Sequence, residues 1–543
     1  MATPCLAIHP AHARQNVGAS TLYNDTCRNL STARRPRHIH RYNPAYPLQL
    51  TRHPHTHTAQ DCPTASTRNP TAPRPTSGRA MAASISALAT LTPPSTTRAW
   101  QTAAHPALPL VATASSDRAV RVYSLASFRA VATVSGGQKR SVRACAWKPG
   151  SGPAAGESVL ATGSFDASAG VWRKWEGRGG GVDVARARGD GEGGGAREEG
   201  EDDGGDDDDD DDDDDDEYRF AVLLDGPDSE IKSVAWSAGG QYLATCSRDK
   251  SVWVWEEMED DNFETVAVLQ EHEADVKCVA WHPQEDLLAS ASYDDTVRLY
   301  REDLDDWGCV AVLGGHGSTV WGVDFEGVRV MGLDVQEGRA EDERTAWLRD
   351  RARAGPRLVS CSDDTTVRVW RRRPKARAEQ AAAAAAANSR IPSIIRSNSI
   401  EEDWFEEARL PQRHERAVYA AAWSKRSGLI ASTGSDGKIV VYKERWRRDG
   451  GADGGAASAA TGGDGSMDAT NGAAPADKPA SNGRASTTEW CVLAELEAAH
   501  DVFEVNHVCW ARRCDKGRRR DDEEIIVSTG DDGEVKLWTL EGI

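Results

Sequence analysis

The chain has 543 residues, 39% hydrophobic and 28% charged, with a formal net charge of −20, so it can hold several domains or one large repeat array. The eleven consecutive aspartates from Asp206 to Asp216 supply more than half of that charge, and the acidic balance therefore does not describe the body of the chain. No run approaches the roughly 18 apolar residues of a membrane span, and the eleven cysteines form no C-x-x-C pair, which argues against a helical membrane protein and a paired-cysteine metal site.

In chain order, residues 1–80 come first, with ten arginines, no lysine, two acidic residues and half of the fourteen histidines among Pro, Thr and Ser. Without apolar periodicity they are expected to be a disordered extension ahead of Met81. An Arg-rich, acid-poor leader is also what a mitochondrial presequence looks like, which is the alternative reading. No secretory signal peptide opens the chain, and the expected location is the cytoplasm, with the nucleus open. "SISALATL", residues 84–91, is the first strand-like run.

Seven short units follow: "SSDRAVRVY", "SFDASAGVW", "SRDKSVWVW", "SYDDTVRLY", "SDDTTVRVW", "GSDGKIVVY" and "GDDGEVKLW". In each, an Asp stands six residues before an aromatic, from Asp117 and Tyr123 through Asp166, Asp249, Asp294, Asp364 and Asp436 to Asp532 and Trp538. Upstream lie runs such as "SVRACAW", "EIKSVAW" and "DVKCVAW", and between the two sits a small apolar run such as "LLASAS". Period-2 runs of this length, separated by turn signals, are short strands. With the run that follows, each unit has four strands, the pattern of the WD repeat. The prediction is an all-β, seven-bladed WD40-repeat β-propeller over residues 81–543. The chain ends after the third strand of its seventh blade, so 84–91 is expected to supply the fourth.

His272, His316, His414 and His500 recur just before the inner strand. There an imidazole can bond the turn Asp and a strand Ser or Thr, in the fourth blade Asp294 with Ser290 or Ser292. Such a set could be taken for a catalytic or metal site, but its repetition from blade to blade makes it structural. Cys145, Cys246, Cys278, Cys361 and Cys509 lie on apolar strand patterns as small hydrophobes. Cys509 and Cys514 alone do not make a zinc site. No metal, cofactor or catalytic residue is expected, and the protein reads as a non-enzyme.

Four segments interrupt the repeat: 173–217, 326–356, 371–403 and 443–489. Three fall between a blade's third and fourth strands and one between its first and second, connections that emerge on one face of an up-and-down propeller. Loops take insertions where nothing depends on them, so the opposite, uninterrupted face is expected to be the working one. The poly-Asp run and "RPKARAEQAAAAAAA" read as solvated low-complexity segments.

On the uninterrupted face the residue before each turn Asp should project outward: Ser116, Phe165, Arg248, Tyr293, Asp363, Ser435 and Asp531. The second residue of each inner strand should line the channel mouth: Trp100, Arg143, Lys232, Lys277, Trp321, Tyr419 and Asn506. Blades 2 to 4 thus gather Arg143, Lys232 and Lys277 in one arc, with Arg248 between Phe165 and Tyr293 just outside it. Arg and aromatics dominate binding hot spots, and a guanidinium pairs a carboxylate two-pronged. An acidic protein partner is expected there. The body lacks the extended basic stripe that nucleic acid needs, so a generic scaffold for chromatin or a ubiquitin ligase is the competing reading.

The central third carries a narrower likeness. "LATCSRDKSVWVWE", "HPQEDLLASASYDDTVRLYRED", "GHGSTVW" and "LVSCSDDTTVRVWR" resemble the cytosolic iron–sulfur assembly WD-repeat proteins, the propeller component of that pathway's targeting complex. The resemblance covers residues 82–543 apart from the insertions. It implies a non-enzymatic adaptor that joins a DUF59-type protein and a HEAT-repeat protein. It also implies docking of apo-proteins destined for iron–sulfur clusters, in part through acidic-aromatic C-terminal tails. Arg248 in "SRDKS" matches the family's exposed arginine, and the family does not itself hold the cluster. Residues 1–80, the long insertions and Ala104, where the first blade's inner-strand Trp is usual, depart from the pattern.

Overall fold

The computed structural model describes residues 83–176, 217–259, 261–303, 306–328, 341–374, 401–447 and 488–542. The expectations for residues 1–80, the poly-Asp run and the poly-Ala run lie outside these residues.

Seven four-stranded antiparallel sheets follow one another along the chain, the seven-bladed propeller that the spacing of the turn aspartates predicts. Blade 1 runs from an inner strand Ala99–Ala104 outward through Leu110–Ser115 and Ala119–Ser124 to Arg129–Ser135. Each inner strand neighbours the inner strands of the blades on either side, and the seventh meets the first. The second strands are the most deeply buried; Leu287–Ser292 has no exposed residue. Their Ala and Ser side chains let sheets pack closely, while Val, Leu and Trp fill the wedge between blades in seven apolar clusters.

Blade 7 draws on both ends of the chain. Its order is Val505–Arg512, Glu524–Gly530, Val535–Glu541 and then Ser84–Thr90. Ser84 pairs with Glu541 and Thr90 with Lys536. Leu91 is fully buried, and its N–H bonds the Val535 carbonyl at 2.9 Å.

Every turn after a second strand places one residue at positive φ: Arg118, Ala167, Lys250, Asp295, Thr365, Gly437 and Gly533. Five blades tolerate a side chain there. Gly533 does not, because a Cβ would lie 2.5 Å from the Thr97 carbonyl oxygen and 2.7 Å from that of Ser95.

Three insertions begin later than their composition indicates. The third strands run to Trp175, Arg372 and Trp446. Arg173, Arg371 and Arg372 look like loop residues, but ion pairs hold them on strands: Arg173 with Glu157 at 2.8 Å, Arg371 with Glu407 at 3.2 Å, Arg372 with Glu285 at 2.8 Å. The 326–356 segment also differs from a low-complexity loop. It contains a helix, Glu341–Ala354, whose Arg351 is 1% exposed and bonds Glu326.

Candidate partner-docking face

The geometry of the channel mouth begins with a bulge. In all seven inner strands the ladder skips one residue after the first: between Ala99 and Gln101, Val142 and Ala144, Ile231 and Ser233, Val276 and Cys278, Val320 and Gly322, Val418 and Ala420, Val505 and His507. A bulge re-aims the extra side chain. The skipped residues are Trp100, Arg143, Lys232, Lys277, Trp321, Tyr419 and Asn506, and all but Trp100 line one cavity at the channel.

Charge and aromatic groups interleave around this mouth. The Arg143 guanidinium lies over Trp100 at 5.0 Å, the Lys232 ammonium over Phe165 at 4.3 Å, and the Lys277 ammonium 5.2 Å from both Tyr293 and Trp321. Such contacts favour a cation most where water is scarce. Phe165 and Tyr293 therefore cap the two lysines; neither forms a ring contact with Arg248.

Arg248 sits further out, with a side chain 58% exposed. It meets Glu230 at 3.6 Å and Asp275 at 3.9 Å. Glu230 also takes Lys232 at 2.7 Å and Arg140 at 3.5 Å, and Asp275 takes Lys277 at 3.3 Å. The bond from Lys232, with Arg248 and Arg140 nearby, holds the Glu230 carboxyl below its ordinary range. Burial pulls Lys232 down, as do the charges of Lys277 and Arg143. Five cations (Arg140, Arg143, Lys232, Arg248, Lys277) thus face two carboxylates, and the sector keeps a positive surplus. Across the channel Asp363, Asp531 and Glu504 turn the opposite sector acidic; Asp531 binds Arg98 at 2.6 Å and Glu504 accepts from the Tyr419 hydroxyl at 3.2 Å. Ser116 bonds Thr97 and Ser435 lies beside Ala417.

Sequence reasoning missed Glu230, Asp275 and Arg140. The signal was available for the acids. Each stands two residues before its lysine, just ahead of the inner strand.

The recurrent polar set forms chains beneath this face. In blade 5 the Trp370 indole donates to Ser360 at 2.8 Å, Ser360 reaches His316 Nε2 at 2.7 Å, and His316 Nδ1 donates to Asp364 at 2.9 Å. Blade 7 repeats it with Trp538, Ser528, His500 and Asp532. Blades 4 and 6 join His272 to Ser290 and Asp294, and His414 to Ser432 and Asp436. In blades 1 to 3 Ser95, Gln138 and Pro227 stand at the His position. There Asp117 pairs with Arg121 at 2.8 Å, while Asp166 and Asp249 accept from Ser168 and Ser251 and from the backbone of Lys139 and Asp228. Burial pushes the Asp117, Asp166, Asp294 and Asp364 carboxyls upward, but the bonds win: Asp166 falls below its ordinary range, Asp117 falls to about 2, and Asp294 and Asp364 fall further. Each chain ends in a carboxylate already saturated by its own blade. Among the described residues no group of three or more His, Cys, Asp or Glu is placed to hold a metal ion, and no helix is long and apolar enough to cross a membrane.

Comparison with known proteins bears on this architecture in two ways. The WD domain, G-beta repeat family matches residues 219–256, 263–301, 352–371 and 407–443. The first match begins in the outer strand of blade 2 and ends in the third strand of blade 3, so the sequence repeat is offset from the blade and interlocks neighbours. Proteins named "Probable cytosolic iron-sulfur protein assembly protein 1" match most of the chain. That of Phaeosphaeria nodorum is 60% identical over 464 residues, 84% of this chain and 96% of the relative. That of Aspergillus terreus is 54% identical over 468 residues, 84% and 99% of the two chains. The chain belongs to the cytosolic iron-sulfur protein assembly protein 1 family. The family relative from Coccidioides immitis, 51% identical over 496 residues, also spans 84% of this chain and 98% of its own. Family membership favours the assembly reading over a generic chromatin or ligase scaffold.

Proposed function

We propose that this propeller is a non-enzymatic scaffold of cytosolic iron–sulfur protein assembly, docking proteins on the face that carries Arg248. The observation that carries the reading is the state of Arg248. Its side chain is 58% exposed and its two carboxylate neighbours stand at 3.6 and 3.9 Å. A charge-assisted guanidinium–carboxylate bond forms at about 2.7–2.9 Å, so an incoming carboxylate can replace both loose contacts. Tyr293, 59% exposed, offers an apolar surface beside it. An acidic-aromatic tail of an apo-client fits this pair, the carboxylate on Arg248 and the ring against Tyr293. The partners that go with this reading are a DUF59-type protein, a HEAT-repeat protein and apo iron–sulfur proteins, met in the cytosol.

The test is a capture experiment from cell extract with wild type and Arg248→Glu, read by mass spectrometry. Targeting-complex members and iron–sulfur apo-proteins are expected with wild type, and the clients are expected to fall several-fold with the variant while its melting curve is unchanged. Chromatin or ligase subunits in their place, or clients held equally by the variant, would overturn it.

A further inference from the structure

The cations of blades 2, 3 and 4 occupy equivalent bulge positions, yet they are not equally compensated. Lys232 has Glu230 two residues before it and Lys277 has Asp275. In blade 2 that position is Ser141, whose hydroxyl is already taken by the Trp100 indole at 2.9 Å. Arg143 is left half-buried at the channel with a cation–π contact to Trp100 and no hydrogen-bond acceptor or carboxylate partner among the described residues. A half-buried guanidinium without a protein acceptor at the narrow channel mouth leaves its N–H groups to water or an anion.

Two neutral donor side chains line the same cavity. The Trp321 indole is the counterpart of Trp100, but the residue matching Ser141 in the next blade is Ala417. Its buried Nε1–H consequently has no partner among the described residues. His507 accepts the Thr102 N–H on Nδ1 at 3.4 Å, so its proton sits on Nε2. Burial, with Arg143 adding to it, pulls this imidazole down to about 3, and a neutral donor results. Arg143, Lys232, Lys277, Trp321 and His507 all line a cavity of about 50 Å³. One water needs roughly 10–15 Å³, so the space suits a few waters or one small oxyanion and excludes a larger ligand.

We propose that the channel mouth is an oxyanion-binding site, holding a single carboxylate or a small inorganic oxyanion between Arg143, Lys232 and Lys277 with Trp321 and His507 as neutral donors. The planar fork of Arg143 supplies the two-pronged contact. The lysines, already shared with Glu230 and Asp275, supply field rather than primary ligation. The site lies inside the ring from Arg248 and needs no partner protein, so it stands apart from the docking reading.

The experiment is isothermal titration of the purified full chain with phosphate, sulfate and acetate at constant ionic strength against a chloride control, with thermal melting alongside. Saturable binding of phosphate or sulfate that weakens at least tenfold in Arg143→Met supports the site and marks a free inorganic ion as the occupant. Saturable binding of acetate, with competition by peptides bearing a free C-terminal carboxylate but not by amidated ones, supports it and marks a carboxylate. Trp321→Phe removes one donor without charge and is expected to weaken binding a few-fold. It serves if Arg143→Met melts early. Absence of saturable binding by all three anions, or binding unaltered in both variants, would refute it.

Discussion

Arg357 and Glu326 lie side by side inside the disc, Nε donating to Oε2 at 3.1 Å and Nη2 to Oε1 at 3.0 Å. The guanidinium also reaches Glu407 at 2.9 Å and Glu444 at 2.7 Å, joins blades 5 and 6, and lies 5.0 Å from the Trp423 ring. Burial pushes Glu326 upward, but Arg357 and Arg351 overcome this and hold it at about 2. Removing one partner from such a buried network leaves charges unpaired and costs roughly 3–5 kcal/mol. Arg357→Met is therefore expected to lower the urea midpoint sharply, and Arg351→Ala less, because Glu326 keeps Arg357. Equal midpoints for wild type and Arg357→Met would show that the network contributes no net stability.

Acid should weaken the fold in two stages. His105 and His282 are pulled down to about 4, chiefly by burial, against about 6.5 when unfolded. Their folded values are depressed, so the stability from keeping them neutral is full above about pH 6.5 and lost as pH falls towards 4. Carboxyls follow: Asp117, Glu285 and Glu326 sit at about 2 when folded, and their contribution disappears from about pH 4 down to 2. Urea midpoints measured from pH 7.5 to 3 should begin to fall near 6.5. A flat profile down to pH 5 would contradict the buried-imidazole stage.

Ring closure gives a third prediction. Ser84–Thr90 is the outer strand of the last blade, and Leu91 is fully buried among Val111, Tyr123 and Val535. Leu→Ala at a buried site costs about 2–5 kcal/mol, so Leu91→Ala should lower the melting temperature by several degrees. A chain starting at residue 83 should melt like the full chain, whereas one starting at residue 92 should lose much of its cooperativity. Matching melts for the two truncations would mean that the ring does not depend on this strand.

The fold could be read from the chain because every blade repeats one local rule, an Asp six residues before an aromatic, and local rules survive in sequence. The bulge residues were legible for the same reason. What stayed hidden depends on distance along the chain: Arg357 meets Glu444 across 87 residues, and no pattern near either predicts it. The helix of the 326–356 segment was masked by its charged composition, since its Arg351 reads as a surface residue until Glu326 is seen. The loose grip on Arg248 belongs to a middle class. The acids at 230 and 275 are visible in their fixed two-residue offset from each lysine, but their sharing between lysine and arginine requires neighbouring blades to be side by side.

That sharing leads to the last prediction. Glu230 is contacted by Lys232, Arg248 and Arg140 at 2.7, 3.6 and 3.5 Å, so it competes with any acidic ligand for all three. Glu230→Gln keeps the shape and removes the competitor. An acidic-aromatic peptide should then bind several-fold more tightly than to wild type, the gain shrinking as salt rises because these charges are partly exposed. Fluorescence anisotropy at low and moderate salt measures both. The double variant Glu230→Gln, Arg248→Glu should lose most of the gain, since the freed guanidinium is the expected receptor. Tighter binding that survives the loss of Arg248 would move the docking site from Arg248 to the lysines at the channel.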